Sequence, residues 1–184
     1  NKILKPLGIK AIFFVVSGFI DQIDQQSAHN FITKGIRSDL DKNNIPRDWR
    51  NLSWNNLKTL ISMGHTIGAH TETHPRLTEV NNKPKLVNEI VTSADKIEKR
   101  LGTKINHFAF TFGDSKSLNN NTMNIAKSRF KFVFTSLRGD NSIKRNNSLI
   151  CRDTLSTDDS LHLIGSFLLG AADPIYKKTI KLYE

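Results

Sequence analysis

A parallel α/β fold is predicted for this 184-residue chain by three observations. Residues 9–16, Ile-Lys-Ala-Ile-Phe-Phe-Val-Val, form a nearly continuous apolar and β-rich run, the pattern of a parallel strand buried on both faces. Between Lys85 and Leu101, the apolar residues Leu86, Ile90, Val91, Ala94, Ile97 and Leu101 recur at helical spacing, and Gly102 follows as a stop. Strand-sized runs then alternate with helical stretches along the chain, as βα units do in an open sheet or a barrel.

Asn1 to Lys5 read as the middle of a helix, so the native N-terminus is expected upstream. Ser17-Gly18 ends the first strand. Residues 21–50 are polar, rich in Gln, Asn and Asp, and contain Pro46; an insertion or long loop with a short helix is expected there. Ser53 is a suitable N-cap for a helix carrying Leu57, Leu60 and Ile61 on one face and closed by Gly64. Residues 66–69 form a second short strand that leads into His70. Further strands are predicted at 107–110, 131–135 and 149–151, and a helix over 122–130. Asp158 or Asp159 is expected to cap a last helix that runs through Leu169. No repeat or low-complexity linker divides the chain, so residues 1–184 are expected to form one domain.

Composition narrows the function classes. Hydrophobic residues at 38% and charged residues at 24% describe a globular chain rather than a disordered one. No apolar run approaches the ~20 residues that span a bilayer. The single cysteine, Cys151, excludes an internal disulfide and reads as a core residue. The formal charge of +10 is spread out and interleaved with acids, as in Asp95 to Arg100, so no nucleic-acid partner is expected. An acidic glycan or an anionic cell envelope suits the same charge.

The segment with the most chemical content is His70-Thr71-Glu72-Thr73-His74. Imidazoles four residues apart can share a cation if the backbone turns between them, and zinc suits neutral imidazole. The segment follows a short strand, and the carboxyl ends of parallel strands carry the active sites of α/β folds. Spacing alone fits two histidines in a surface loop at least as well.

The surrounding residues carry further information. Gly64-His65-Thr66-Ile67-Gly68-Ala69-His70-Thr71-x-Thr73-His74-Pro75 resembles the polysaccharide deacetylase family with the NodB homology domain, whose metal motif reads His-Ser/Thr-x-x-His. Residues 4–16 resemble the end of that family's first helix and its second strand, and residues 108–114 its third motif. The resemblance implies a distorted (β/α) barrel of the NodB type, without its first strand in this chain. It implies a divalent metal held by one Asp and two His, with zinc expected and cobalt, nickel or manganese as alternatives. By the same carry-over His70 and His74 bind the metal, and Thr71 braces their loop. Phe110, Thr111 and Phe112 line the sugar site.

Three departures qualify the carry-over. The family's Thr-Phe-Asp-Asp-Gly motif, which supplies the third metal ligand and the catalytic base, is expected just before Asn1. Ala109 stands where the third motif often has Arg, and Arg152, at the end of a predicted strand, is the candidate to support the catalytic Asp in its place; a surface or salt-bridged arginine is the alternative. His162 is the only histidine near the family's late acid motif, though its place among Leu161, Leu163 and Ile164 also fits a structural role. Trp49, in the polar insertion, could stack on a sugar ring. The expected activity is removal of N- or O-linked acetyl groups from a bacterial polysaccharide or other carbohydrate; the compartment is left open, with the cell envelope or another extracytoplasmic place favoured over the cytoplasm. The alternative is a non-catalytic carbohydrate-binding protein with the same fold.

Overall fold

The computed structural model describes residues 3–37, 45–46, 49–141 and 149–183. Five strands, β1 (Ile12–Val15), β2 (Thr66–Ala69), β3 (His107–Ala109), β4 (Phe132–Phe134) and β5 (Leu149–Ile150), form one parallel sheet in the order β1-β2-β3-β4-β5. Right-handed crossovers between consecutive neighbours put every connection on the same side of such a sheet, the arrangement of a (β/α) barrel wall. Among the described residues the sheet is an open arc with β1 and β5 at its edges. The edge position leaves Ile12 exposed, where the apolar run had predicted burial on both faces.

On the helical side, α3 (Trp54–Ser62) and α5 (Ser93–Leu101) cover β2. Leu57, Ile90, Ala94, Ile97, Phe108 and Val133 form the centre of the buried core there. Ser53 caps α3 as predicted: its Oγ accepts from the Asn56 N–H, and the Asn56 side chain returns the bond to the Ser53 N–H. The predicted helix over 85–101 is one rod in three parts, α4 (Lys83–Val87), a π-helical turn (Asn88–Thr92) and α5. Gly102 ends it in the left-handed conformation, φ 67°. The other side of the sheet carries an aromatic wall. Phe14 meets Phe134 with ring centroids 4.9 Å apart, and His107 stacks on Phe132 at 5.1 Å. Gly68 makes room for Phe14, because a Cβ there would lie 2.5 Å from the Phe14 ring.

Several boundaries differ from expectation. Residues 3–8 form turns, not the middle of a helix. α1 (Ser17–Ile20) precedes residues 21–50, which hold the expected short helix as α2 (Gln25–Phe31), capped by Asp24, and continue it in a π-helical turn (Ile32–Ile36). Residues 38–44 and 47–48 of that segment lie outside the described residues. After α6 (Asn120–Arg129), the next helix, α7 (Leu161–Leu168), is capped by Ser160 rather than by either aspartate. Asp159 instead accepts from the Ser156 N–H in the preceding turn. A further helix, α8 (Asp173–Tyr183), was not predicted. No described helix is long and apolar enough to cross a membrane.

Candidate metal and active site

The site begins where β2 ends. The His70 N–H continues the sheet by donating to the Val15 carbonyl at 3.0 Å, and the chain then turns sharply. Thr71 and His74 both adopt left-handed backbone conformations, φ 69° and 65°. Such conformations are costly for residues with a Cβ and persist only where surrounding contacts impose them. Those contacts are visible on three sides. The Thr71 Oγ accepts from the His74 N–H at 2.9 Å, closing the turn from inside. The N–H groups of Ser17 and Gly18 donate to the Thr71 and Glu72 carbonyls at 3.1 and 3.0 Å. Gly18 is required for this approach, since a Cβ would lie 2.6 Å from the Glu72 carbonyl oxygen. From below, Glu89 accepts from the Glu72 and Thr73 N–H groups, and Lys96 pairs with Glu72 at 2.9 Å. Burial opposes the charge on Lys96, but Asp21 and Glu72 outweigh it and raise its pKa.

The turn brings the two imidazoles together, with ring centroids 5.1 Å apart. His70 Nδ1 lies 2.7 Å from the Ala109 carbonyl. A carbonyl can only accept, so this contact assigns the proton to Nδ1 and leaves the Nε2 lone pair free to bind a cation. Burial lowers the His70 pKa from 6.5 to about 4 despite that bond, with smaller contributions from His74 and Arg152. Burial also lowers the pKa of His74, against the opposing effect of the Gly35 backbone. Both rings are therefore neutral near pH 7, the form that ligates metal. His74 Nδ1 is buried without a hydrogen-bond partner among the described residues. Leaving such an atom unmatched costs about 1–3 kcal/mol, a cost that a ligand would remove. The donor set thus fits a divalent cation as two of its ligands. The described residues contain no group of three His, Cys, Asp or Glu side chains placed to complete it.

Three hollows meet at this turn. One of about 410 Å³ is lined by Phe14, His70, Phe110, Phe112, Arg152 and Asp153, among others. The structure therefore brings Arg152 to the same cavity as His70. The Arg152 Nε–H donates to the Thr135 carbonyl at 2.9 Å, and its guanidinium lies 5.3 Å from the Phe14 ring centroid. Burial lowers the Arg152 pKa. A second hollow, about 360 Å³, is mostly apolar and touches both histidines together with Val15, Phe19 and Ile36. The third and largest of these, about 600 Å³, lies between His74 and the end of α2, where Asn30, Phe31 and Lys34 line it. Residues of α2 and the π-helical turn after it are thus part of the site's wall.

The other predicted site residues are dispersed. Phe110 is buried and packs edge-on against Phe108, and only its margin reaches the cavity. Thr111 is buried, and its hydroxyl donates to the Pro75 carbonyl. Phe112 alone of the three presents an open aromatic face, at 46% exposure, with Arg76 lying 4.5 Å from its ring centroid. Trp49 stacks on Phe19 at 5.7 Å. His162 is exposed on α7 and lines none of the hollows described above. His65 is buried and accepts from the Ala11 N–H at 3.2 Å. Sequence reasoning missed Glu89 and the Arg76–Asp114 pair, 2.7 Å apart, which supports the Phe112 rim. Asp114 had a signal as a capping residue, since its side chain accepts from the Ser117 N–H. Glu89 had none.

Comparison with known proteins agrees with this fold. The Streptococcus pyogenes deacetylase PplD, solved in complex with acetate, is similar at 21% identity with a TM-score of 0.65, over 94% of this chain and 63% of that one. The de-N-acetylase from Aggregatibacter actinomycetemcomitans is similar at 17% identity with a TM-score of 0.62, over 90% of this chain and 68% of the other. IcaB from Ammonifex degensii follows at 19% identity and a TM-score of 0.62, over 93% of this chain and 64% of its own. At these identities the likeness is one of fold, and the chain spans 63% of the streptococcal protein's length. No curated protein sequence matches. The family model described as polysaccharide deacetylase matches residues 1–129, and the chain belongs to that family.

Proposed function

We propose that the protein is a metal-dependent hydrolase that removes acetyl groups, N- or O-linked, from a carbohydrate. The observation that carries this reading is the strained turn at the end of β2, which holds two neutral imidazoles together beside a cavity shared with Arg152. His70 and His74 would hold a divalent cation, zinc by preference, with a carboxylate from outside the described residues as the third protein ligand. Such a cation supplies a Lewis acid for the acetyl carbonyl and lowers the pKa of water.

The chain's own residues contribute the rest. The Ala109 carbonyl fixes the His70 tautomer, and burial keeps that ring unprotonated. Arg152 brings a positive charge to the cavity, where it can orient a catalytic carboxylate or stabilise developing negative charge. Phe112 offers an aromatic face to a sugar ring.

The test is calorimetric zinc titration of this chain and of an upstream-extended form, followed by acetate release from an acetylated glycan. One zinc per chain with release of acetate, both lost in His70→Ala and His74→Ala, is the expected result. Acetate release that survives both substitutions refutes the proposal. Glycan binding without zinc binding in either form would instead support a non-catalytic carbohydrate-binding protein.

A further inference from the structure

Glu89 is an acidic residue at the flank of the apolar face of the helical rod, yet it is only 8% exposed. All three hydrogen bonds described for its carboxylate come from two consecutive residues of the histidine loop. Oε2 accepts from the Glu72 and Thr73 N–H groups, both at 2.9 Å, and Oε1 accepts from the Thr73 hydroxyl at 2.7 Å. Among the described ion pairs none includes Glu89, so the loop itself provides the compensation that a buried carboxylate requires. The π-helical turn Asn88–Thr92 presents the side chain, and the hydroxyl of Ser93, the first residue of α5, donates back to the Glu89 carbonyl at 2.6 Å. Turns of this kind recur at functional sites.

Glu89 lines none of the three hollows, so it acts on the site only through the loop. Its donors lie between the two left-handed residues, Thr71 and His74, whose conformations set the direction of the imidazoles. We infer that Glu89 is a positioning residue for the metal loop: its buried carboxylate holds residues 72–73 so that His70 and His74 converge on one cation. The metal part of this inference rests on the function proposed above; the loop part does not.

The experiment uses the full chain and three variants. In metal-free protein, amide exchange of Glu72 and Thr73 is followed by NMR; zinc affinity is then measured by calorimetry. Glu89→Ala is expected to speed exchange at both amides by about 10-fold or more. It is also expected to weaken zinc binding by about 10–100-fold, the usual consequence of losing an outer-shell partner. Glu89→Gln keeps an oxygen for the two N–H groups and an amide N–H for the Thr73 hydroxyl, and should restore most of both properties. Ile97→Val, a core change in the following helix, lowers overall stability and should leave both readouts near wild type. If Glu89→Ala does not fold, Glu89→Asp, too short to reach both amides, replaces it and should show the same losses.

Unchanged amide exchange in Glu89→Ala overturns the inference, as does an equal effect from Ile97→Val. If the wild-type protein and its upstream-extended form bind no zinc, the proposed function fails alone, and the exchange data still decide whether Glu89 holds the loop.

Discussion

Acidification should expose the neutral state of His70 as a loss of fold stability. In the folded protein its pKa lies at about 4, against the ordinary 6.5. Between those values the unfolded chain takes up a proton that the folded chain refuses. Stability from this residue is therefore complete above pH 6.5 and declines as the pH falls toward 4. At about 1.36 kcal/mol per pH unit the full loss is about 3 kcal/mol, and most of it is reached by pH 4.5. Urea unfolding in the presence of a chelator, at pH 7 and pH 4.5, measures it. His70→Gln is the reference, because its amide can still donate to the Ala109 carbonyl. Wild type should lose about 2–3 kcal/mol more than the variant on acidification. His74 and His107, also pushed down by burial, titrate in both proteins, as does Asp114, and their shares largely cancel in the difference. Equal losses would mean that His70 takes up its proton as readily folded as unfolded, and the argument for a preformed neutral ligand would fail.

Three other outcomes follow from the packing and the cavity. Gly68→Ala should cost about 1–3 kcal/mol, read as a lowered Tm, because the new methyl meets the Phe14 ring at 2.5 Å and the His107 carbonyl at 3.1 Å. Leu57→Ala, at a fully buried position between α3 and the sheet, should cost about 2–5 kcal/mol in urea unfolding without altering zinc affinity. Arg152→Gln should lower acetate release on the order of 100-fold while zinc affinity stays within a few-fold of wild type; unchanged turnover would make Arg152 a structural residue.

The parts of the fold that depend on local pattern were legible from residues alone. The apolar runs at 12–15 and 66–69, the Ser53 cap and the Gly102 stop each declare themselves within a few positions. So did the histidine pair, through its own spacing and the residues on either side. What escaped depends on relations that no short window contains. The burial of Glu89 arises from an extra residue in a helical turn and from a loop seventeen positions earlier. The Asp24 cap would have fixed the bounds of the short helix expected in 21–50, and Pro174 was an available signal for α8, which its short apolar stretches hid. Arg152 was already a candidate from the resemblance, but its place at the His70 cavity follows from the addition of β5 to β4, a pairing that only the completed sheet defines.

The widened turn in the helical rod has a consequence for insertions and deletions. Glu89 lies at the start of that turn and Lys96 lies beyond it, yet both hold the same loop, Glu89 by its main chain and Lys96 by the Glu72 side chain. The turn itself can lose its extra residue with its flanks in register, but each residue advances a regular α-helix by about 100°, so deleting one from 93–95 would swing everything after it by nearly a third of a turn. Lys96 would leave Glu72, or Glu89 would leave the amides, and Ile97 would turn out of the core. Substitution can be absorbed along this rod one side chain at a time, but a change of length outside the widened turn cannot. In homologous chains the stretch from the end of that turn to Lys96 should keep its residue count even where its sequence drifts.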